Sequence, residues 1–391
     1  MNSQNTPVHI RLWHHDFWRL AVANLLLTMS VYMLVPVMPR WLLQGQGLSF
    51  NEIGAVMGAF GLGLFLFGFF VSFLVQHYRR NMVCIVAVLL VVCLLALLYY
   101  LDAEVCLKMD LSLLMAQRFA FGAFFGLAQM TLTSTLIIDT SESFQRTEAN
   151  HSAAWFSRFA LSLGPLAGLL IDHSLGFSVV LLCAAGCAFC ALVLVALVHF
   201  PFRTPLDHVP VVSLDRFFLP HGFPLFANLL FVTVAVGILF SVDFSEHFYA
   251  MMMIGFLSAI LAQRFVFRNA EVKSEVVSGL ILLFAALLMM ITRTQQIVWY
   301  ASPLFVGFGI GIIGSRFLLF FIKLSRHCQR GTSQSTFLLG WEGGIACGIG
   351  IGLAYCQGQM RPALMLSLAL VIVALVMYHF THNWFVRNKN R

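Results

Sequence analysis

Four charged residues lie inside long apolar runs: Arg118, Arg158, Arg316 and Glu342. A charge in an apolar medium is costly, so each is a functional hypothesis in its own right. Glu342 is the one acid well inside its run, about ten residues from the start, or roughly 15 Å of helical rise. A carboxyl at that depth is a group that can take up and release a proton, or meet a cation. Arg158 and Arg316 are the cations at comparable depth, and either can serve as its partner. The competing reading is structural: a fixed ion pair for Glu342, backbone carbonyls for Arg118, and a side chain reaching to the surface for Arg316. Proton coupling is assigned to Glu342, Arg118 and Arg158. Asn24, Tyr32, Gln129, Asn228, Arg316 and Trp341 are the groups expected to line a cavity and touch a small molecule. Asp139, Asp172, Asp243 and Glu246 stand at run ends, where water reaches them. Glu52 follows Ser49 by three residues, which suits a helix cap.

These positions need elements to hold them, and the composition says which. Of 391 residues, 60% are hydrophobic and 10% charged, with 39 phenylalanines. A soluble domain runs at about 45–50% apolar and about 25% charged. That balance excludes a soluble enzyme and a disordered chain; lipid must solvate the surface. The net charge of +7 is dispersed between apolar runs and forms no stripe, so nucleic acid is not a partner. Seven of nine cysteines lie inside apolar runs and read as packing residues, with Cys106 and Cys328 in loops. The histidines do not converge with carboxylates, so no metal is expected. No glycine-rich Lys-Ser/Thr loop for nucleotide phosphates is present, and no cofactor is implied.

A membrane helix needs roughly 20 apolar residues. Twelve runs qualify: 17–38, 51–75, 82–101, 111–138, 150–171, 176–199, 223–243, 246–267, 274–292, 297–324, 332–356 and 361–385. The first is too long for the core of a signal peptide and is expected to stay in the mature protein. Residues 200–222 carry Pro201, Pro205, Pro210 and Pro220 with Arg203, Asp207, Asp215 and Arg216, the composition of a linker. The expected organisation is a six-helix bundle over 1–199, a cytoplasmic linker over 200–222 and a second six-helix bundle over 223–391. With the N-terminus inside, sixteen of the 23 basic residues fall in inner loops and tails, and only Arg40, Lys108, Arg293 and Arg361 in outer ones. Both termini are therefore expected in the cytoplasm.

The two halves also share sequence. Ala23-Asn24-Leu25-Leu26 recurs as Ala227-Asn228-Leu229-Leu230, and Leu74-Val75-Gln76 resembles Leu261-Ala262-Gln263. In spans 5 and 11, one offset matches Gly164 with Gly348, Gly168 with Gly352, and Arg158 with Glu342. Parallel six-helix repeats are a known transporter plan.

Three motifs carry a resemblance. Span 1 ends in Pro36-Val37-Met38-Pro39 and passes through a polar turn to Leu48-Ser49-Phe50-Asn51-Glu52-Ile53-Gly54. Arg118-Phe119-Ala120-Phe121-Gly122 has the form Arg-x-x-x-Gly, and Gly164-Pro165-Leu166-Ala167-Gly168 is a glycine-proline motif. In these features, and across essentially its whole length, the chain resembles the major facilitator superfamily. The resemblance implies an all-α integral membrane fold, with 12 transmembrane helices as two pseudo-symmetric six-helix bundles around a central cavity lined by spans 1, 4, 7 and 10. It implies a motif role for Arg118 in proton transfer or conformational coupling, and for Gly164, Pro165 and Gly168 in antiporters. Gating in the family centres on the loop after span 2 and on an acid before the span 4–5 loop. Here those places hold Gln76-His77-Tyr78-Arg79-Arg80-Asn81 and Asp139. The loop lacks the acid and the glycine that the family often carries.

The expected function is secondary active transport of a small molecule by alternating access: proton-coupled efflux (antiport) of an amphipathic or drug-like compound. Proton-coupled uptake of a metabolite is the second reading. A membrane-embedded transferase is the remote one, because its nearest acid–base candidate, His14-His15-Asp16, consists of helix neighbours that diverge by about 100°. Protons and the lipid bilayer are the expected partners, the protein a monomer, and the setting a bacterial cytoplasmic (inner) membrane.

Overall fold

The computed structural model describes residues 12–103, 108–142, 144–200, 209–268 and 270–389. Arg11, Cys106, Pro201, Arg203, Pro205, Asp207 and His208 lie outside the described residues. Among the described residues, twelve helices are long and apolar enough to cross a membrane. They are α1 (His15–Gln44), α2 (Phe50–His77), α3 (Arg80–Ala103), α4 (Leu111–Asp139), α5 (Arg146–Leu175) and α6 (Phe177–Ala196). The second set is α7 (Pro220–Phe240), α8 (Glu246–Phe265), α9 (Val272–Thr292), α10 (Gln296–Leu324), α11 (Arg330–Cys356) and α12 (Met360–Asn388). Each overlaps one span read from hydropathy.

The packing repeats. In the first half α1 packs on α5 and α6, α4 on α2 and α3, and α3 on α6. In the second half α7 packs on α11 and α12, α10 on α8 and α9, and α9 on α12. The halves meet where α2 lies along α11 and α5 along α8. Small residues permit this closeness. A Cβ on Gly164 or Gly168 would collide with α1 at Tyr32 and Met33, and one on Gly348 or Gly352 would collide with Val234 of α7 and with Ser241 at its end. The glycine offset in the sequence is thus a real equivalence: both pairs seat the fifth helix of a half on its first.

Three helices of the first half are irregular. α1 is interrupted at Met33. α2 loosens after Gly63 and passes through a 3₁₀ turn at Gly68–Phe70. α4 contains a π turn over Leu132–Leu136, a feature frequent at functional sites. Pro165 and Pro303 sit inside α5 and α10, both of which continue past them.

Residues 213–219 do not merely span a gap. The Ser213 amide donates to the Phe69 carbonyl of α2 at 3.0 Å. The Arg216 amide donates to Thr332 Oγ1 at 2.8 Å, and Leu219 to Thr336 Oγ1 at 2.8 Å, both on α11. The Phe217 ring is seated against Gly68, where no side chain would leave it room. This segment joins the two halves on the face that holds the start of α1 and the end of α12.

Candidate functional site

An apolar cavity lies between α1, α2, α4 and α11. Val31, Tyr32 and Val35 come from α1, Met57 and Phe60 from α2, Arg118 from α4, and Glu342, Ile345, Ala346 and Ile349 from α11. Three polar side chains therefore face seven apolar ones. The Tyr32 hydroxyl donates to Glu342 Oε2 at 2.7 Å. Both residues are buried. This bond crosses from the first half to the second inside the cavity wall.

Arg118 is also buried, and no acid pairs with it among the described residues. One terminal nitrogen rests on the thioethers of Met38 and Met57, its Nε has no protein partner, and the guanidinium lies 5.6 Å from the Phe121 ring centre. A thioether is a weak acceptor for such a donor.

Arg158 lies nearer the start of α5, on the face of the chain termini, and is equally buried. None of its three guanidinium nitrogens finds a protein acceptor. Its planar group instead sits 4.8 Å from the Trp155 ring centre and 6.0 Å from that of Trp341. Cation–π contact with the two indoles offsets part of the cost of this burial. Beside it, His151 Nε2 hydrogen-bonds Ser315 Oγ of α10 at 2.6 Å, and Ser315 donates to Gln263 Oε1 of α8 at 3.1 Å.

Neither arginine considered from sequence pairs with Glu342. Arg316 is held instead by Glu275 of α9, with Nη2 at 2.5 Å and Nε at 2.6 Å from one carboxylate oxygen. Glu275 is buried, a second interior acid that the sequence reading missed because it stands at the edge of its span. Arg316 is thus part of a fixed ion pair and does not border the cavity. The remaining expected contacts separate in the same way. Asn24 donates to the Ala153 carbonyl of α5 at 3.0 Å, and Asn228 to the Ala374 carbonyl of α12 at 3.0 Å. Both tie helices together away from the cavity wall, and they do so to helices that are not equivalent in the repeat. Gln129 donates to Thr28 Oγ1 at 2.6 Å, bridging α4 and α1. Trp341 turns its ring toward Gly314 and Phe337, on the Arg158 side. Tyr32 is the one expected cavity residue whose polar atom meets Glu342.

At the positions where gating residues are expected from sequence, Arg80 forms an ion pair with Asp139, joining α3 to the end of α4. Gln76 donates to Ser72 Oγ at 2.9 Å, and Ser72 reaches Asp215 at 3.4 Å. Arg79 lies in the turn between α2 and α3. On the opposite face Arg40 pairs with Asp243 and lies 4.0 Å from Asp172, linking α1 to the ends of α7 and α5.

The family model of the Major Facilitator Superfamily matches residues 20–350. The chain belongs to the major facilitator superfamily. It is a transporter of small molecules, as members of that family are, and not an enzyme. Its fold is similar to that of the human organic anion transporter MFSD10 (TETRAN), with a TM-score of 0.68, 14% identity, and coverage of 93% of this chain and 98% of that one. It is similar also to a point mutant of the nucleoside transporter NupG, with a TM-score of 0.65, 13% identity, and coverage of 94% and 99%. No curated protein matches the chain. The transporter thus has the all-helical, twelve-span architecture expected from sequence.

Proposed function

We propose that the transporter couples movement of a small amphipathic molecule to protons by alternating access, with Glu342 as the proton carrier. The observation that carries this reading is the Tyr32–Glu342 bond in the cavity wall. A carboxyl that spans the two halves can change both its proton and its partner as the halves move, so protonation and conformation are linked. The rocking bodies are residues 1–199 and 223–391, connected by 200–222. The face of the chain termini is cytoplasmic, on the Lys/Arg bias, in a bacterial inner membrane, and the unit is a monomer. Arg118 and Arg158 modulate the charge that Glu342 meets.

Efflux by antiport is favoured by the Gly164-Pro165 motif. A second reading, symport, is favoured by the two arginines without acidic partners, because protonating Glu342 leaves their positive charge available to a substrate. A transport screen in liposomes, with and without an imposed pH gradient, tests the proposal with wild type against Glu342→Gln. Gradient-driven flux that Glu342→Gln abolishes supports it. Equal gradient-driven flux in the variant, or chemical modification of the transported compound, sinks it.

A further inference from the structure

Among the described residues, the buried charges of the membrane interior are Arg118, Arg158, Glu275 and Glu342. Glu275 is neutralised by Arg316. That leaves two cations and one acid, and the acid is already bonded by Tyr32. A buried charge without a counter-ion is a large uncompensated cost. The surplus is positive, and one of the two cations borders the cavity.

We infer that the transported molecule is an amphipathic organic anion, its charged group held by Arg118 and its apolar body lying against Val31, Met57, Phe60 and Ile349. Three observations meet here. The cavity is apolar apart from Arg118, Tyr32 and Glu342. The Arg118 side chain is 3% exposed, has an unpartnered Nε, and has only sulfur acceptors at its tip. Thioethers are acceptors that an entering carboxylate, sulfonate or phosphonate displaces readily, because a charge-assisted, two-pronged bond to an oxyanion is far stronger. The apolar walls then select an aliphatic or aromatic body over a small inorganic ion. Arg158, on α5 of the same half, likewise has three guanidinium nitrogens without a protein acceptor, between two indoles. An organic cation fits less well: it would meet Glu342 in this cavity but Arg118 beside the same space, and among the described residues the surplus buried charge is positive.

The inference takes from the proposed function only that the cavity is the transport site; it does not require proton coupling. It is therefore tested by equilibrium binding, with no gradient and no flux. The probes are 1-naphthoate, 1-naphthalenesulfonate, neutral 1-naphthalenemethanol and cationic 1-naphthylmethylammonium, which share one aromatic body. The purified full-length transporter in detergent is titrated by calorimetry. At least one of the two anions is expected to bind about tenfold or more tighter than the alcohol, the discrimination that one hydrogen-bonded charge supplies. Arg118→Gln is expected to lose that discrimination, weakening the anions far more than the alcohol. Should Arg118→Gln fail to fold, Arg118→Lys serves: it keeps a charge but not the fork, and is expected to retain part of the preference. Anions binding no tighter than the alcohol overturn the inference. So does discrimination that survives Arg118→Gln, is undiminished in Arg118→Lys, or vanishes only in Arg158→Gln. If anion binding holds while Glu342→Gln leaves gradient-driven flux intact, the substrate class stands and the proton-coupling proposal falls.

Discussion

The Tyr32 hydroxyl donates to the Glu342 carboxylate at 2.7 Å, and this bond joins the first helix of one half to the eleventh helix of the chain, in the other half. It sits where α1 is interrupted at Met33 and where α5 presses on α1 through Gly164 and Gly168. On the proposed coupling, a proton arriving at Glu342 acts at a point where three helices meet. Glu342→Gln keeps a hydrogen-bond acceptor for Tyr32 but cannot cycle a proton. Gradient-driven accumulation is expected to disappear in the variant, while substrate exchange at equal pH persists. Loss of both would mean that Glu342 serves binding rather than coupling.

Tyr32→Phe removes the bond and leaves the ring. The bond involves a group that can be charged, so its loss is expected to shift the balance between conformations by about 1.5–3 kcal/mol. Thermal unfolding in detergent and the accessibility of a single cysteine placed at the cavity wall read this out. An unchanged melting point together with unchanged accessibility would remove Tyr32 from the mechanism.

The Glu275–Arg316 pair gives a prediction of opposite character. Glu275 is almost wholly buried and Arg316 largely so. Glu275→Ala leaves a cation without its partner, a change worth about 3–5 kcal/mol for a buried pair. Glu275→Gln with Arg316→Gln is expected to be milder than Glu275→Ala alone, as measured by melting temperature. Arg40 and Asp243 pair at an exposed site, so Arg40→Ala is expected to cost no more than about 1 kcal/mol. If the two pairs proved equally important to stability, burial would not be the deciding factor.

The twelve spans were legible because lipid imposes length and hydropathy on every helix, and the two glycine pairs because close helix approach tolerates only small side chains. The same logic did not extend to Asn24 and Asn228. Their flanking residues repeat, but apolar strings recur easily, and the amides bond to α5 and α12 respectively. Glu275 was missed because two residues decide whether a helix end is solvated or covered, and hydropathy does not resolve two residues. The partner of Glu342 was hidden for another reason. Opposite charge suggested an arginine, whereas the geometry of the interface brought a tyrosine from 310 positions away.

Gly168 offers a sharp test of the helix contact. A side chain there would strike the Met33 backbone, which cannot move aside cheaply. Gly168→Leu is expected to lower stability by about 1–3 kcal/mol or more, and to lower the yield of monodisperse protein. Gly186 in α6 has open space where its Cβ would be, so Gly186→Ala is expected to be neutral or slightly stabilising, by up to about 1 kcal/mol. Equal behaviour of the two variants would refute the close-packing account of α1 and α5.

The segment 213–219 is a bridge that any opening of the halves on its face must break. Thr332 accepts from the Arg216 amide and donates to Asp215 at 3.0 Å, and Thr336 accepts from Leu219. Thr332→Val with Thr336→Val keeps side-chain shape but leaves two backbone donors unpaired at the interface, each costing about 1–3 kcal/mol if it stays buried. The docked segment is then destabilised relative to the released one. With spin labels at Tyr78→Cys and Lys323→Cys in a cysteine-depleted background, the distance distribution across this face is expected to shift toward longer values. Phe217 sets the size of the effect, since its ring is wedged at Gly68 where α2 loosens, and Phe217→Ala is expected to produce the same shift without touching a hydrogen bond. An unchanged distribution in both variants would mean that the segment follows the movement of the halves and does not restrain it.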